Sequence, residues 1–446
     1  MKIVFLPIDN RPVCYQMPKM ISAVNKQIEL VLPPKNLLGS LTEGANVEGL
    51  YGWLENAVIG ADAIILSLDT IAYGGLIPSR RSNDTFEKIK ARVDNLAEIL
   101  KRSPAKIYAF SSIMRISNNN INEEEKEYWS EYGEQIFKYS YDLDLNGDAD
   151  TDVPPEIIED YLTTRSRNFN INKLYLEYQK IGLFDTLIFS KDDCAEYGFN
   201  VMEAKKLEEL GGFTKTGADE IPLSLLARAL RTYINVHPVF LEPDEKHLIS
   251  NYEDVSVEKS VLGQLELAGC NITDEKSADV LLYINNFRSR QGEIVMRRDT
   301  ELFSGEWEIP ALPYMIADVR LANGADNNFT DKLFAAGLGD NFLGYAGWNT
   351  TANTLGSLIC AMKYVWHAKR TNMFDENAFK KFEAVRFLDD WAYQANVRQE
   401  LSEPNGDITE KMSHYEDIVK KQLNIEFTAK YSYPWNRLFE VEIELN

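Results

Sequence analysis

Short apolar runs separated by longer amphipathic stretches recur along this chain, and that alternation constrains its fold more than any other feature. The runs that read as strands are Ile3–Pro7, Ile28–Leu32, Ala63–Ser67, Ile107–Ser111 and Thr186–Ser190. Gly212–Thr216, Pro238–Leu241, Val280–Ile284, Tyr314–Ala317 and Phe342–Ala346 continue the series. Between them lie helical patterns such as Thr85–Leu100 and Ile221–Ile234. Apolar runs without polar alternation suit strands buried on both faces, and the helices between them supply the crossovers of a parallel sheet. The class is therefore α/β. The expected architecture is mainly parallel sheets in two Rossmann-like lobes of five strands each, facing a cleft. A (β/α)8-like barrel is the alternative, and either form puts functional residues at the C-terminal ends of strands.

The expected division is a first lobe over 1–200 with a helical insertion at about 117–183, a second lobe over 201–371, and a helical C-terminal region over 372–446. In that last region Asn377–Glu400 and Asp407–Leu423 read as helices, and residues 439–443 as an edge strand. At 446 residues, 45% hydrophobic and 26% charged, the chain carries enough apolar surface for a large core, which rules out wholesale disorder. Its 69 acidic and 47 basic residues leave a net charge of −22, which works against binding nucleic acid or an anionic membrane. No apolar run reaches the roughly 18 residues of a membrane span. The first apolar run is too short for a secretory signal, and Cys14, Cys194, Cys270 and Cys360 show no C-x-x-C spacing, so the expected location is cytoplasmic.

Polar residues cluster just after the apolar runs, where neither core nor strand needs them. They are Asp9 and Arg11; Asp69, Tyr73 and Arg80; Arg115; Asp192 and Asp193; Asp219 and Glu220; Asp318 and Arg320; and Asn349 and Asn353. Helix caps account for single members of that set. They do not account for three arginines and two adjacent acidic pairs on one rim. Neighbouring carboxylates repel, so one of a pair tends to keep its proton, which is what general acid catalysis at neutral pH requires. Arginines suit a carboxylate or phosphate on a ligand. The four histidines lack metal-ligand spacing, and no G-x-G-x-x-G, Walker A or G-x-S-x-G sequence follows a strand. Cys14 reads as a buried small hydrophobe. Residues 142–150 match the start of a calcium loop but carry Val153 where a bidentate Glu belongs, so they read as an acidic turn.

The motif order carries a resemblance. Pro-x-Asp-x-Arg-Pro from Pro7, Ser-x-Asp from Ser67, Tyr73-Gly-Gly-Leu, Ser79-Arg80 and Met114-Arg115 come first. Asp192-Asp193, Gly217-Ala-Asp-Glu and Asn349-Thr-x-x-Asn-Thr-Leu-Gly follow. In that order they resemble the bacterial family catalogued as domain of unknown function 4127, from Pro7 to Gly356 and again at Pro434–Arg437. The resemblance implies a bacterial protein and names no reaction.

The residues lead to a hydrolase, a glycosidase or related sugar-processing enzyme, with no cofactor. Asp219 and Glu220 are the expected acid–base pair, with Asp192 and Asp193 opposite. Asp9, Arg11, Asp69, Tyr73, Arg80, Arg115, Asn349 and Asn353 are expected to hold a sugar-like or acidic small molecule. One alternative is a Mg²⁺ or Mn²⁺ hydrolase ligated by Asp9, Asp69, Asp192, Asp193 and Asp318. Another is a binding protein stacking Tyr73 and Trp348 on a sugar. If the rim is one site, Asp9, Arg11, Asp69, Arg115, Asp192, Asp219 and Glu220 must converge; if they are caps, they scatter.

Overall fold

The computed structural model describes residues 1–192, 195–404 and 408–446. The chain forms two compact units, Met1–Tyr15 with Glu29–Pro222, and Gln16–Ile28 with Leu223–Asn446. It is α/β, and its two large sheets are parallel throughout.

In chain order the first sheet's strands and the elements between them are β1 (Lys2–Leu6), α1 (Pro12–Ala23, of which Gln16–Ala23 belongs to the second unit), β2 (Glu29–Val31), α2 (Val47–Ala57), β3 (Ala63–Ser67) and the short α3 (Leu68–Ala72) and α4 (Leu76–Arg81). There follow α5 (Phe86–Leu100), β4 (Lys106–Ile113), α6 (Trp129–Asn146), α7 (Pro155–Lys180), β5 (Thr186–Lys191), α8 (Phe199–Glu209) and β6 (Thr214–Thr216). The strands lie in the order β2-β1-β3-β4-β5-β6. Every residue of β3 is buried, as a strand covered on both faces requires. The helix α5 shows how the covering layer is specified. Thr85 caps it by accepting from Lys88 N, and Ile89, Val93, Leu96 and Leu100 form the buried stripe. That stripe shares one core with Ile64 and Leu66 of β3 and with Leu50 and Leu54 of α2. Because β2 and β3 flank β1, the winding reverses there. Such a reversal opens a crevice at the C-terminal strand ends, the usual ligand position of this class of sheet.

The second sheet follows α9 (Ile221–Ala229) and contains β7 (Asn235–Phe240), β8 (Asn271–Ile272) after α10 (Val257–Leu267), and β9 (Val280–Asn285). A two-residue ladder pairs β10 (Gly292–Glu293) with β12 (Leu321–Ala322), on either side of β11 (Tyr314–Asp318) in the chain. After α11 (Asn327–Ala336), β13 (Phe342–Ala346) completes the order β13-β11-β9-β7-β8. The helix α12 (Thr351–Arg370) is buried continuously from Thr351 to Val365, so it serves as a core element. α13 (Glu376–Arg386) continues into a π-helical stretch, Phe387–Asn396, in which Phe387 stacks on Tyr345 at 4.7 Å. α14 (Thr409–Leu423) precedes β14 (Ala429–Ser432) and β15 (Glu442–Leu445).

Several expectations need correction. The strands divide six and five rather than five and five, because Thr214–Thr216 pairs with β5 and closes the first sheet's edge. The expected boundary at 200–201 falls inside α8, and the units divide after Pro222. The C-terminal strand joins neither large sheet: β15 pairs antiparallel with β14. The acidic 142–150 stretch is no loop at its start, since α6 runs to Asn146 and Gly147, at φ 79°, caps it by donating to Leu143 O.

Candidate functional site

Parallel strands share one direction, so the segments leaving β1, β3, β4, β5 and β6 emerge on one side of the first sheet. The turn after β1 carries Asp9 and Arg11. Asp9 accepts Arg11 N at 2.9 Å through Oδ1 and Arg11 Nε at 2.8 Å through Oδ2. The far end of the same guanidinium grips Asp219, beyond β6, with Nη2 at 2.6 Å from Oδ1 and Nη1 at 3.1 Å from Oδ2. All three side chains are at least 90% buried. A forked arginine held by two carboxylates is planar and pre-organised, which fixes Asp219 relative to β1. Burial raises the Asp219 pKa, Arg11 opposes the rise, and Asp9 adds to it. Cys14 Sγ lies 3.8 Å from both Arg11 Nη2 and Asp219 Oδ1.

A second knot joins α4, the end of β4 and the end of β5. Arg80 is 1% exposed and donates from Nη1 to Glu125 at 3.0 Å, with Glu124 at 3.5 Å. Arg115 pairs with Glu124 at 2.9 Å and Glu125 at 3.1 Å. Asp192 Oδ2 sits 3.6 Å from Arg115 and 3.7 Å from Arg80, beyond hydrogen-bond length from either. Burial raises the Asp192 pKa; Arg115 and Arg80 oppose, while Asp219 and Glu124 push it further up. Asp219 is thus among the charges that raise the Asp192 pKa, which places the second knot within electrostatic reach of the first.

Asp69 is buried between β3 and β4 rather than on the open rim. It accepts Ser112 N at 2.8 Å and Ser111 Oγ at 3.3 Å, and burial lifts its pKa to about 6 despite those bonds and Arg80. Glu220 is 1% exposed and folds back over Gly217, where a Cβ would lie 1.6 Å from its Oε1. Gly217, at φ 105°, is what lets that turn close. The ring of Tyr73 is buried with the Arg167 guanidinium 5.5 Å from its centroid, so its position favours packing over stacking on a ligand. Asp193 lies outside the described residues.

Asn349, Asn353, Asp318 and Arg320 belong to the second unit. Asn349 takes a left-handed turn at φ 61° and accepts Asn323 N; Asn353 donates its backbone N–H to the Thr350 cap. Asp318 is tied to Asn285, Asp326 N and Tyr345, and Arg320 to Asn285, Glu242 and Glu301 O, all within that unit. Trp348 is buried against Phe439. Among the described residues, no group of three or more His, Cys, Asp and Glu side chains is placed to hold a metal ion.

Sequence reasoning missed Glu124 and Glu125. They stand in Asn-Glu-Glu-Glu-Lys-Glu, which reads as a solvated charge run, yet Glu125 is 4% exposed beneath two arginines. It also missed Arg165, which is held by Glu203 and donates to Met114 O at 2.8 Å and Arg115 O at 3.3 Å, fixing the backbone that presents Arg115.

The chain belongs to the family described as "Protein of unknown function (DUF4127)", whose match covers residues 3–444. No curated protein matches it.

Proposed function

Taking that family membership as the premise, we propose that the rim of the first unit is the acid–base centre of a hydrolase, a glycosidase acting on a neutral sugar-like molecule. One observation carries the reading. Two carboxyl groups with raised proton affinity, Asp192 and Asp219, are related electrostatically but held differently. Arg11 clamps Asp219 through both oxygens and favours its ionised form, whereas Asp192 meets its arginines only at long range. Environments that differ in this way separate an acid from a base. Asp192 passes its proton to the leaving oxygen, and Asp219 accepts one from the attacking water. The pair differs from Asp219 with Glu220, because Glu220 is packed under the turn it stands on.

The charge balance favours an uncharged substrate over an acidic one. Asp9, Glu124, Glu125, Asp192 and Asp219 outnumber Arg11, Arg80 and Arg115, so each guanidinium already faces carboxylates. A metal ion would have to displace a guanidinium from Asp9 or Asp219. The test is hydrolysis of a panel of neutral nitrophenyl glycosides. Asp192→Asn is expected to lower kcat/KM by about 10²–10⁴-fold on the methyl glycoside of the sugar the panel selects, with melting temperature preserved. No turnover on any glycoside, or wild-type rates in both Asp192→Asn and Asp219→Asn, removes the reading.

A further inference from the structure

A buried arginine ordinarily donates every N–H, because an orphaned buried donor costs about 1–3 kcal/mol. Arg80 does not. Its Nη1 is engaged by Glu125, but Nη2 is buried and has no hydrogen-bond partner among the described residues. Asp192 Oδ2 stands 3.7 Å from Nη2 and 3.6 Å from Arg115 Nη1, close to two guanidiniums and hydrogen-bonded to neither. The side chains of Asp192, Glu124 and Arg115 are 23, 20 and 16% exposed, whereas Arg80 and Glu125 are 1 and 4%. The knot therefore has a buried floor, with the open donor on it, and a partly solvated upper layer. An acceptor atom from a ligand would complete Arg80. The surplus of carboxyl groups around it disfavours a carboxylate or phosphate there and favours a neutral oxygen.

Building on the hydrolase reading above, we propose that Arg80 Nη2, Arg115 and Asp192 form the subsite for one uncharged ether oxygen of the substrate, the oxygen that leaves. The carbon–oxygen bond breaks and its electron pair stays on that oxygen. The proton from Asp192 joins it, and the two guanidiniums stabilise the negative charge that builds before the proton arrives. Water gives its hydroxyl to the carbon, and its remaining proton passes to Asp219, so the carboxyl protons balance over the cycle.

Aryl and alkyl glycosides of graded leaving-group acidity separate this role from a structural one. Arg80→Lys and Asp192→Asn are expected to lose about 10²-fold or more on a methyl glycoside and only a few-fold on a dinitrophenyl glycoside, which leaves without help. An equal loss on both overturns the subsite while leaving the hydrolase intact. If Arg80→Lys does not fold, Asp192→Asn alone carries the comparison. Crystals of the wild-type protein soaked in cellobiose give a readout independent of turnover. A sugar oxygen within hydrogen-bond distance of Arg80 Nη2 is expected. Should the glycoside panel show no turnover, the leaving-oxygen role falls with the hydrolase and the soak decides only the contact: a sugar oxygen on Arg80 upholds its binding of a neutral oxygen, and its absence overturns that too.

Discussion

Arg11 shows how one residue sets the character of a site. Its guanidinium is shared by Asp9 and Asp219, so it neutralises part of a charge that would otherwise be buried at the head of the sheet. Removing one partner of a buried pair leaves the other uncompensated, at a cost of about 3–5 kcal/mol. Arg11→Ala is therefore expected to lower unfolding free energy by that order in urea titrations at pH 7. The loss should shrink at acidic pH, where Asp219, its proton affinity raised by burial, accepts a proton. A loss that is the same at pH 4.5 and pH 7 would show that packing of the arginine stem, and not its charge, is what matters.

At the scale of elements, the segments after the strands are shaped by backbone geometry as much as by side-chain chemistry. Gly217 adopts φ 105° and gives its missing Cβ volume to Glu220. Gly217→Ala is expected to destabilise the protein by about 1–3 kcal/mol, from backbone strain and displacement of Glu220. The double variant Gly217→Ala/Glu220→Ala should recover the steric part, which urea midpoints of the two will read. The end of α6 makes a contrasting point. Asp142 pairs with Lys138, and Asp144 accepts Gly198 N and pairs with Lys205. These carboxylates serve a helix and its neighbours, so millimolar calcium is expected to leave the melting temperature unchanged. A calcium-dependent rise of several degrees would overturn that assignment.

Across the whole molecule, burial has raised many carboxyl groups. In the second unit Asp318 and Glu253 are pushed up to about 7 and Glu383 to about 8, each chiefly by burial. Unfolded carboxyls ionise at about pH 4, so between there and about pH 8 the native state holds protons that the unfolded chain has released. The stability these groups contribute is full below about pH 4 and is lost as pH rises through about 7 to 8. Groups shifted the other way, such as Asp84, Asp94 and Glu242, have completed their gain well below that window. Unfolding free energy is therefore expected to fall by at least about 1 kcal/mol from pH 5.5 to pH 8.5. Glu383→Gln should flatten part of the slope; an unchanged slope would locate the effect elsewhere.

The class of the fold was legible because a strand buried on both faces must be apolar throughout, and short runs such as Ile64–Leu66, alternating with amphipathic stretches, suit that placement. The rim residues were legible for a related reason: a charged residue directly after such a run lies at a strand end, and parallel strands put those ends on one side. Local sequence could not say which of them would meet. Arg11 and Asp219 are 208 positions apart and pair although β6 stands four strands from β1, so the segment beyond β6 and not sequence proximity decides the contact. Glu125 looked solvated because a run of glutamates is ordinarily cheapest in water. A buried guanidinium from α4 and a partly exposed one from the segment after β4 reverse that preference. Asp192 and Glu220 carry the same charge in the sequence. What separates an open carboxyl between two arginines from one packed against a glycine is the desolvation and partner geometry that the folded chain alone supplies.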